Sequence, residues 1–100
     1  MADVVTSKNG LPIRFTEERW AHIVEEHGEL EGLRPEIIMT VAEPDAIYAG
    51  KAGELMAVRE VAGGKHLVTV YRELTADGFI VTAFLTRRVR YLERRTRLWP

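Results

Sequence analysis

The chain has 100 residues, 46% hydrophobic and 29% charged, with 14 Lys+Arg against 15 Asp+Glu, 8 Gly, 4 Pro and no cysteine. One domain is expected over residues 1–100, and collagen-like, low-complexity and disordered classes are excluded. So are disulfides, thiolate zinc sites and cysteine nucleophiles, and a net charge of −1 excludes a polybasic binder judged on net charge alone.

The opening MADVVTSKNG lacks a basic start followed by an apolar run, and no stretch approaches the ~20 apolar residues a spanning helix needs, so a cytoplasmic protein without membrane contact is expected. Charge is unevenly spread. Residues 87–100 hold six arginines against the single acid Glu93, a charge of +5, which leaves −6 on residues 1–86. Such asymmetry points the tail at a polyanion, with a solvated basic helix as the plain alternative.

In chain order, Val4-Val5 and Leu11–Phe15 flank the Asn9-Gly10 turn signal and predict a short hairpin. Thr16 reads as an N-cap with Glu17 and Glu18 in the first turn of a helix that runs to about His27 and stops at Gly28. Trp20, Ile23, Val24 and His27 form its apolar stripe. A second helix is predicted over Pro35–Ala42, opened by Pro35 and closed by Pro44. Strands follow at Ala46–Ala49, Leu55–Val61, His66–Leu74 and Phe79–Thr86, separated by glycine-rich turn signals. Two helices followed by an antiparallel meander make an α+β domain with the helices on one sheet face. A two-residue turn at Asp77-Gly78 would set Glu73, Tyr71 and Thr69 opposite Thr82, Phe84 and Thr86. Val68, Val70, Leu74, Val81 and Leu85, with Arg72 and Ala83, would then take the core face.

The chemistry candidates are few. His22 and His27 sit in an H-x-x-E-E-H string whose spacing of five turns the imidazoles about 140° apart on a helix, against the four-residue spacing of helical zinc ligands. Acid–base work suits a histidine better, since its unperturbed pKa of ~6.5 lets it exchange protons near neutrality. His22 lies off the apolar stripe one turn after Arg19, so the pair presents a base and a cation to a phosphate. His27 reads as a helix-end cap or a packing residue, and His66 as exposed. Thr82 and Thr86 share one face of the last strand, where hydroxyls can donate to phosphate oxygens, although threonine is also a plain strand former. Tyr71 and Arg72 add a phenol and a guanidinium fork. Arg72 on an apolar face needs a partner, Glu60 or the carbonyls ending the first helix. In the tail, Arg87, Arg90, Arg94 and Arg97 recur beside a stripe of Val89, Leu92, Thr96 and Trp99, which predicts a docked basic helix. Four phosphate contacts there would give single-strand binding a log–log salt slope of roughly −3.

The ordered motifs Phe15–Ile23 (FTEERWAHI), His27–Leu30 (HGEL), Glu43–Ile47 (EPDAI), Leu67–Glu73 (LVTVYRE) and Asp77–Thr86 (DGFIVTAFLT) resemble the phage-associated members of the barnase, EndoU, colicin and RelE-like nuclease group. The resemblance spans about residues 12–88, and most of the basic tail at 87–100 lies outside the clear match. It implies N-terminal helices packed on a four-stranded antiparallel sheet and RNA cleavage without metal or cofactor. It also assigns site roles to His22, His27, Tyr71, Arg72, Thr82 and Thr86. The acid and base roles stay unassigned between the histidines. The expected activity is a toxin-type endoribonuclease with a base or acid at His22, Arg72 on the phosphorane, Thr82 and Thr86 on its oxygens, and Arg19 with the tail arginines on the strand. Its partners would be RNA and a cognate inhibitor protein. The alternatives are a non-catalytic RNA- or protein-binding module of the same fold and a phage structural or assembly protein.

Overall fold

The structure, a computed structural model, describes residues 2–100. Strands β1 (Ala2–Thr6) and β2 (Pro12–Thr16) form the opening hairpin, turned by Ser7–Gly10 with Gly10 at φ 83°. Helix α1 (Glu17–Glu26) follows at once, because Thr16 Oγ1 accepts the Arg19 N–H at 3.1 Å and so satisfies one of the donors orphaned at a helix start. A single 3-10 turn at Gly28–Leu30 leads to α2 (Arg34–Ala42), which carries Pro35 in its first turn. Strands β3 (Ala46–Ala49), β4 (Leu55–Ala62), β5 (Lys65–Glu73) and β6 (Gly78–Thr86) make the meander. The tail holds one helical turn, α3 (Arg90–Glu93), and a short strand, β7 (Arg97–Trp99).

The expected four-stranded antiparallel sheet is wrong. One seven-stranded mixed sheet runs in the order β1-β2-β6-β5-β4-β3-β7, and β2 joins β6 in parallel through Ile13↔Gly78 and Arg14↔Phe79. The hairpin and the tail each extend the meander because its outer strands would otherwise leave backbone groups unpaired. The Ala49 N–H, at the β3 edge, donates to the Thr96 carbonyl at 2.9 Å. The predicted basic helix is likewise corrected: only four tail residues are helical, and the chain then extends to pair with β3. The Lys8 ammonium from the β1–β2 turn lies 4.9 Å from the Trp99 ring centroid, so the two ends of the sheet curl toward each other.

Register differs as well. Glu73 pairs with Gly78, Tyr71 with Ile80 and Thr69 with Ala83, with a bulge that leaves Val81 extra. The connection is a longer turn in which the Leu74 N–H donates to the Asp77 carbonyl, so Gly78 is the first strand residue rather than a turn residue. Glycine is needed there for close approach: a Cβ at Gly78 would collide with the Arg72 carbonyl oxygen and Ile13.

The faces are therefore reassigned. One face, covered by α1 and α2, carries Leu67, Tyr71, Ile80 and Ala83, packed with Ile13, Phe15, Ile23, Ile37 and Val41. The buried Thr69 belongs to it and donates to the Ile37 carbonyl at 3.1 Å. Val68 and Val70, expected on that face, lie on the other with Ala46, Tyr48 and Val58, and Leu92 of the tail covers them. Leu74 is exposed in the turn.

Candidate active site

Side chains three apart on a helix are neighbours, and Trp20 and Ile23 turn the α1 stripe toward the core. Arg19 and His22 consequently stand together on the outer side, where with Thr16 and Glu18 they line an open hollow of about 400 Å³. A second hollow of about 280 Å³ shares Thr16 and Arg19 and adds Arg14, Phe79 and Ile80 from the β2–β6 seam. The two run together around the start of α1. Within them, Arg14 lies 3.3 Å from Asp77 Oδ2 and reaches the Gly78 carbonyl. His22 Nε2 lies 3.1 Å from Glu26 Oε1, one turn further along. A carboxylate on one ring nitrogen fixes the orientation of an imidazole and leaves the other, Nδ1, available for proton transfer.

The remaining sequence candidates are dispersed. His27 is the C-cap of α1, with its N–H on the Ile23 carbonyl at 2.7 Å and its Nδ1 3.8 Å from Glu29. Tyr71 is fully buried beneath the helices, and its hydroxyl has no hydrogen-bond partner among the described residues. Burial, reinforced by the nearby Glu73 charge, pushes that phenol well above the ordinary tyrosine range. Arg72, one residue along the strand, points to the opposite face, and its partner is neither Glu60 nor the α1 carbonyls but the carbonyl of Ala52, at 2.9 Å. The carboxyl of Glu54 in the same turn is held below its usual range by the N–H groups of Ala52 and Glu54, with the Arg72 and Arg95 charges adding to them. Thr82 pairs with Val70 on the tail-covered face, and Thr86 Oγ1 accepts the Arg88 N–H at 3.0 Å.

No family model matches this chain, and neither does any curated protein or solved structure. What the chain does must be read from its own side chains. Of the sequence candidates, Arg19 and His22 share a hollow. Sequence reasoning missed Arg14 and Phe79, which reach the same place only through a parallel strand pairing between distant parts of the chain. It also missed His66, read as exposed, whose Nδ1 is buried and unpartnered among the described residues. Among the described residues no helix is long and apolar enough to cross a membrane.

Proposed function

We propose that this protein is a small cytoplasmic endoribonuclease that cleaves without metal, as the resemblance to the phage nuclease group implies, with its centre at the start of α1. The observation that carries the reading is one imidazole, one guanidinium and one hydroxyl, those of His22, Arg19 and Thr16, lining a single hollow. In this mechanism His22 Nδ1 removes the proton from a ribose 2′-hydroxyl and O2′ attacks the adjacent phosphorus. The P–O5′ bond breaks, the departing oxygen takes a proton from water, and a 2′,3′-cyclic phosphate remains. Arg19 faces the extra negative charge of the phosphorane, and the Thr16 hydroxyl donates to one of its oxygens. Arg14 and Phe79, in the adjoining hollow, offer a phosphate contact and a ring for the neighbouring nucleotide. Arg72, Thr82 and Thr86 carry no chemical role in this scheme.

The test is a chimeric oligonucleotide with chelator present. An all-ribose strand is cut, and the same strand with deoxyribose at the scissile position survives. Equal cutting of both overturns the chemistry. His22→Ala removes cleavage, and Arg19→Ala lowers its rate by roughly 10²–10³, by analogy with the loss of one oxyanion donor. A second reading, a strand-binding module without turnover, is favoured by Glu18, whose carboxylate lines the same hollow and opposes the extra negative charge a phosphorane would build there. It predicts strand binding that Arg19→Ala weakens, with no cut product.

A further inference from the structure

The tail meets the sheet at a place that the cleavage scheme does not use. Leu92, fully buried, seats the tail over Val58 and Val68, and beside it a hollow of about 210 Å³ remains. Its floor is apolar, from Ala46, Val58 and Leu92, and its rim brings together His66, Asp45 and Glu93. The ring of His66 lines the hollow, and its Nδ1 is buried with no partner among the described residues, an arrangement that buried polar atoms in folded proteins avoid. Asp45 spends one carboxylate oxygen on the Glu60 N–H, at 2.8 Å, and keeps the other.

A wider hollow of about 690 Å³ adjoins the first, sharing Val89 as a wall. It is lined by Arg90, Arg94 and Tyr91, the last with 43% of its surface exposed. Three tail arginines are already engaged: Arg87 donates to the Gly63 carbonyl, Arg95 to the Ala49 carbonyl, and Arg97 lies over the Tyr48 ring. The guanidiniums of Arg88, Arg90 and Arg94 make no hydrogen bond or ion pair among the described residues. Cations that line one hollow without a hydrogen-bonded partner repel one another and are relieved by an anion.

We propose that the two hollows together bind one nucleotide, with its base over the apolar floor beside His66 and its phosphate on Arg90 and Arg94. An inorganic anion would leave the apolar floor unused, and a neutral base would leave the guanidiniums uncompensated. A ligand with a flat apolar body, edge N–H groups and a phosphate meets every feature, which is the usual make-up of a small-molecule site. Carboxylates on the rim accept from base N–H groups, so guanine, with adjacent ring and exocyclic donors, is preferred over uracil. The site shares no residue with the His22 hollow and goes beyond the cleavage reading. A free mononucleotide and one nucleotide of a single strand present the same chemistry.

The full chain is titrated with guanosine monophosphate, uridine monophosphate, inorganic phosphate and a short single-stranded oligoribonucleotide, following the His66 imidazole resonances by NMR. Guanosine monophosphate is expected to shift them saturably, at least ~10-fold more tightly than phosphate or uridine monophosphate, and Arg90→Ala with Arg94→Ala to weaken it by ~10-fold or more. Both arginines are exposed enough that the double variant keeps its Tm, which is measured alongside. His66→Gln weakens the nucleotide and leaves phosphate binding as it was. Tighter binding of the oligomer than of the monophosphate identifies a strand as the source, and equal binding a free nucleotide. The proposal falls if no saturable shift appears at His66, if phosphate binds as well as the nucleotide, or if the double arginine variant binds unchanged. His22→Ala keeps the two proposals apart: persistence of cutting in that variant overturns the cleavage reading alone, whatever the nucleotide titration shows.

Discussion

The helix-covered face of the sheet is closed by large side chains arriving from several elements, whereas the other face is crossed by one irregular segment whose single fully buried side chain is Leu92. On the first face Ile13, Phe15, Ile23, Ile37 and Tyr71 interlock without solvent between them. On the second, Met56, Val81 and Phe84 stay partly exposed, and hollows open between the tail and the strands. The contrast separates what folds the chain from what is free to bind. Apolar burial is concentrated where the helices sit, so the arginine-rich cover can hold polar groups apart without putting the fold at risk.

Removing a ring from the dry face gives the largest effect and the clearest test of this division. Phe15→Ala, which also removes the edge-on contact with Trp20 at 6.0 Å between centroids, is expected to cost about 3–5 kcal/mol in urea unfolding. Leu92→Ala is expected to cost about 2 kcal/mol, at the low end of such truncations, because the tail can settle into the space. Equal losses at the two positions would mean that the faces contribute alike.

Gly78→Ala comes next. The new methyl meets the Arg72 carbonyl and Ile13 where β5, β6 and β2 converge, and one of these strands has to shift. A loss of about 1–3 kcal/mol is expected, with the unfolding midpoint moved and the m-value kept. An unchanged midpoint would place Gly78 in a turn, as its sequence context suggests. The residue thus shows how a correct signal can be read for the wrong reason. Asp-Gly does mark the end of a hairpin, but the glycine serves strand packing and the turn lies before it.

Tyr71→Phe has a smaller effect of opposite sign. Its hydroxyl is buried without a partner among the described residues, so deleting it removes a desolvation penalty, and stability should rise by up to about 1 kcal/mol. Cleavage should be unchanged in the same variant. Lost activity would restore Tyr71 to the chemistry and contradict its position beneath the helices.

The legible parts of the molecule were local ones. The Thr16 cap, the end of α1 near Gly28 and the strand segments follow from caps, prolines and composition, and Arg19 meets His22 because residues three apart on a helix must. The expected meeting of His22 with Arg72 and Thr82 failed because Arg72 is held by the Ala52 carbonyl and Thr82 pairs with Val70 on the tail-covered face, away from the hollow beside His22. The parallel seam at Arg14↔Phe79 and the three-residue β7 are set by tertiary contacts between distant segments and leave no periodic trace. A bulge at Val81 further switches the facing of β6, which no alternation pattern anticipates.

The smallest effect concerns arginines, and it sets the two faces against each other directly. At the β1 end of the helix-covered face, Arg34 is clasped by Glu17 and Asp3, with Nη1 3.0 Å from Glu17 Oε2, and its guanidinium lies 5.7 Å from the Phe15 ring centroid and 5.8 Å from that of Trp20. That hydrogen bond holds the Glu17 carboxyl below its usual range, and the Arg34 charge adds to it. A carboxylate depressed by folding contributes stability above its unfolded pKa, ~4.3, and loses it as pH falls through the lower folded value. Arg34→Ala should therefore lower Tm modestly at pH 7, with its ionic part disappearing in acid and only the lost ring contacts persisting. Arg88→Ala should stay within about 0.5 kcal/mol at either pH, because its guanidinium has no carboxylate partner among the described residues. If the two substitutions respond alike to pH, the tail arginines have acidic partners in solution and are not poised for an external anion.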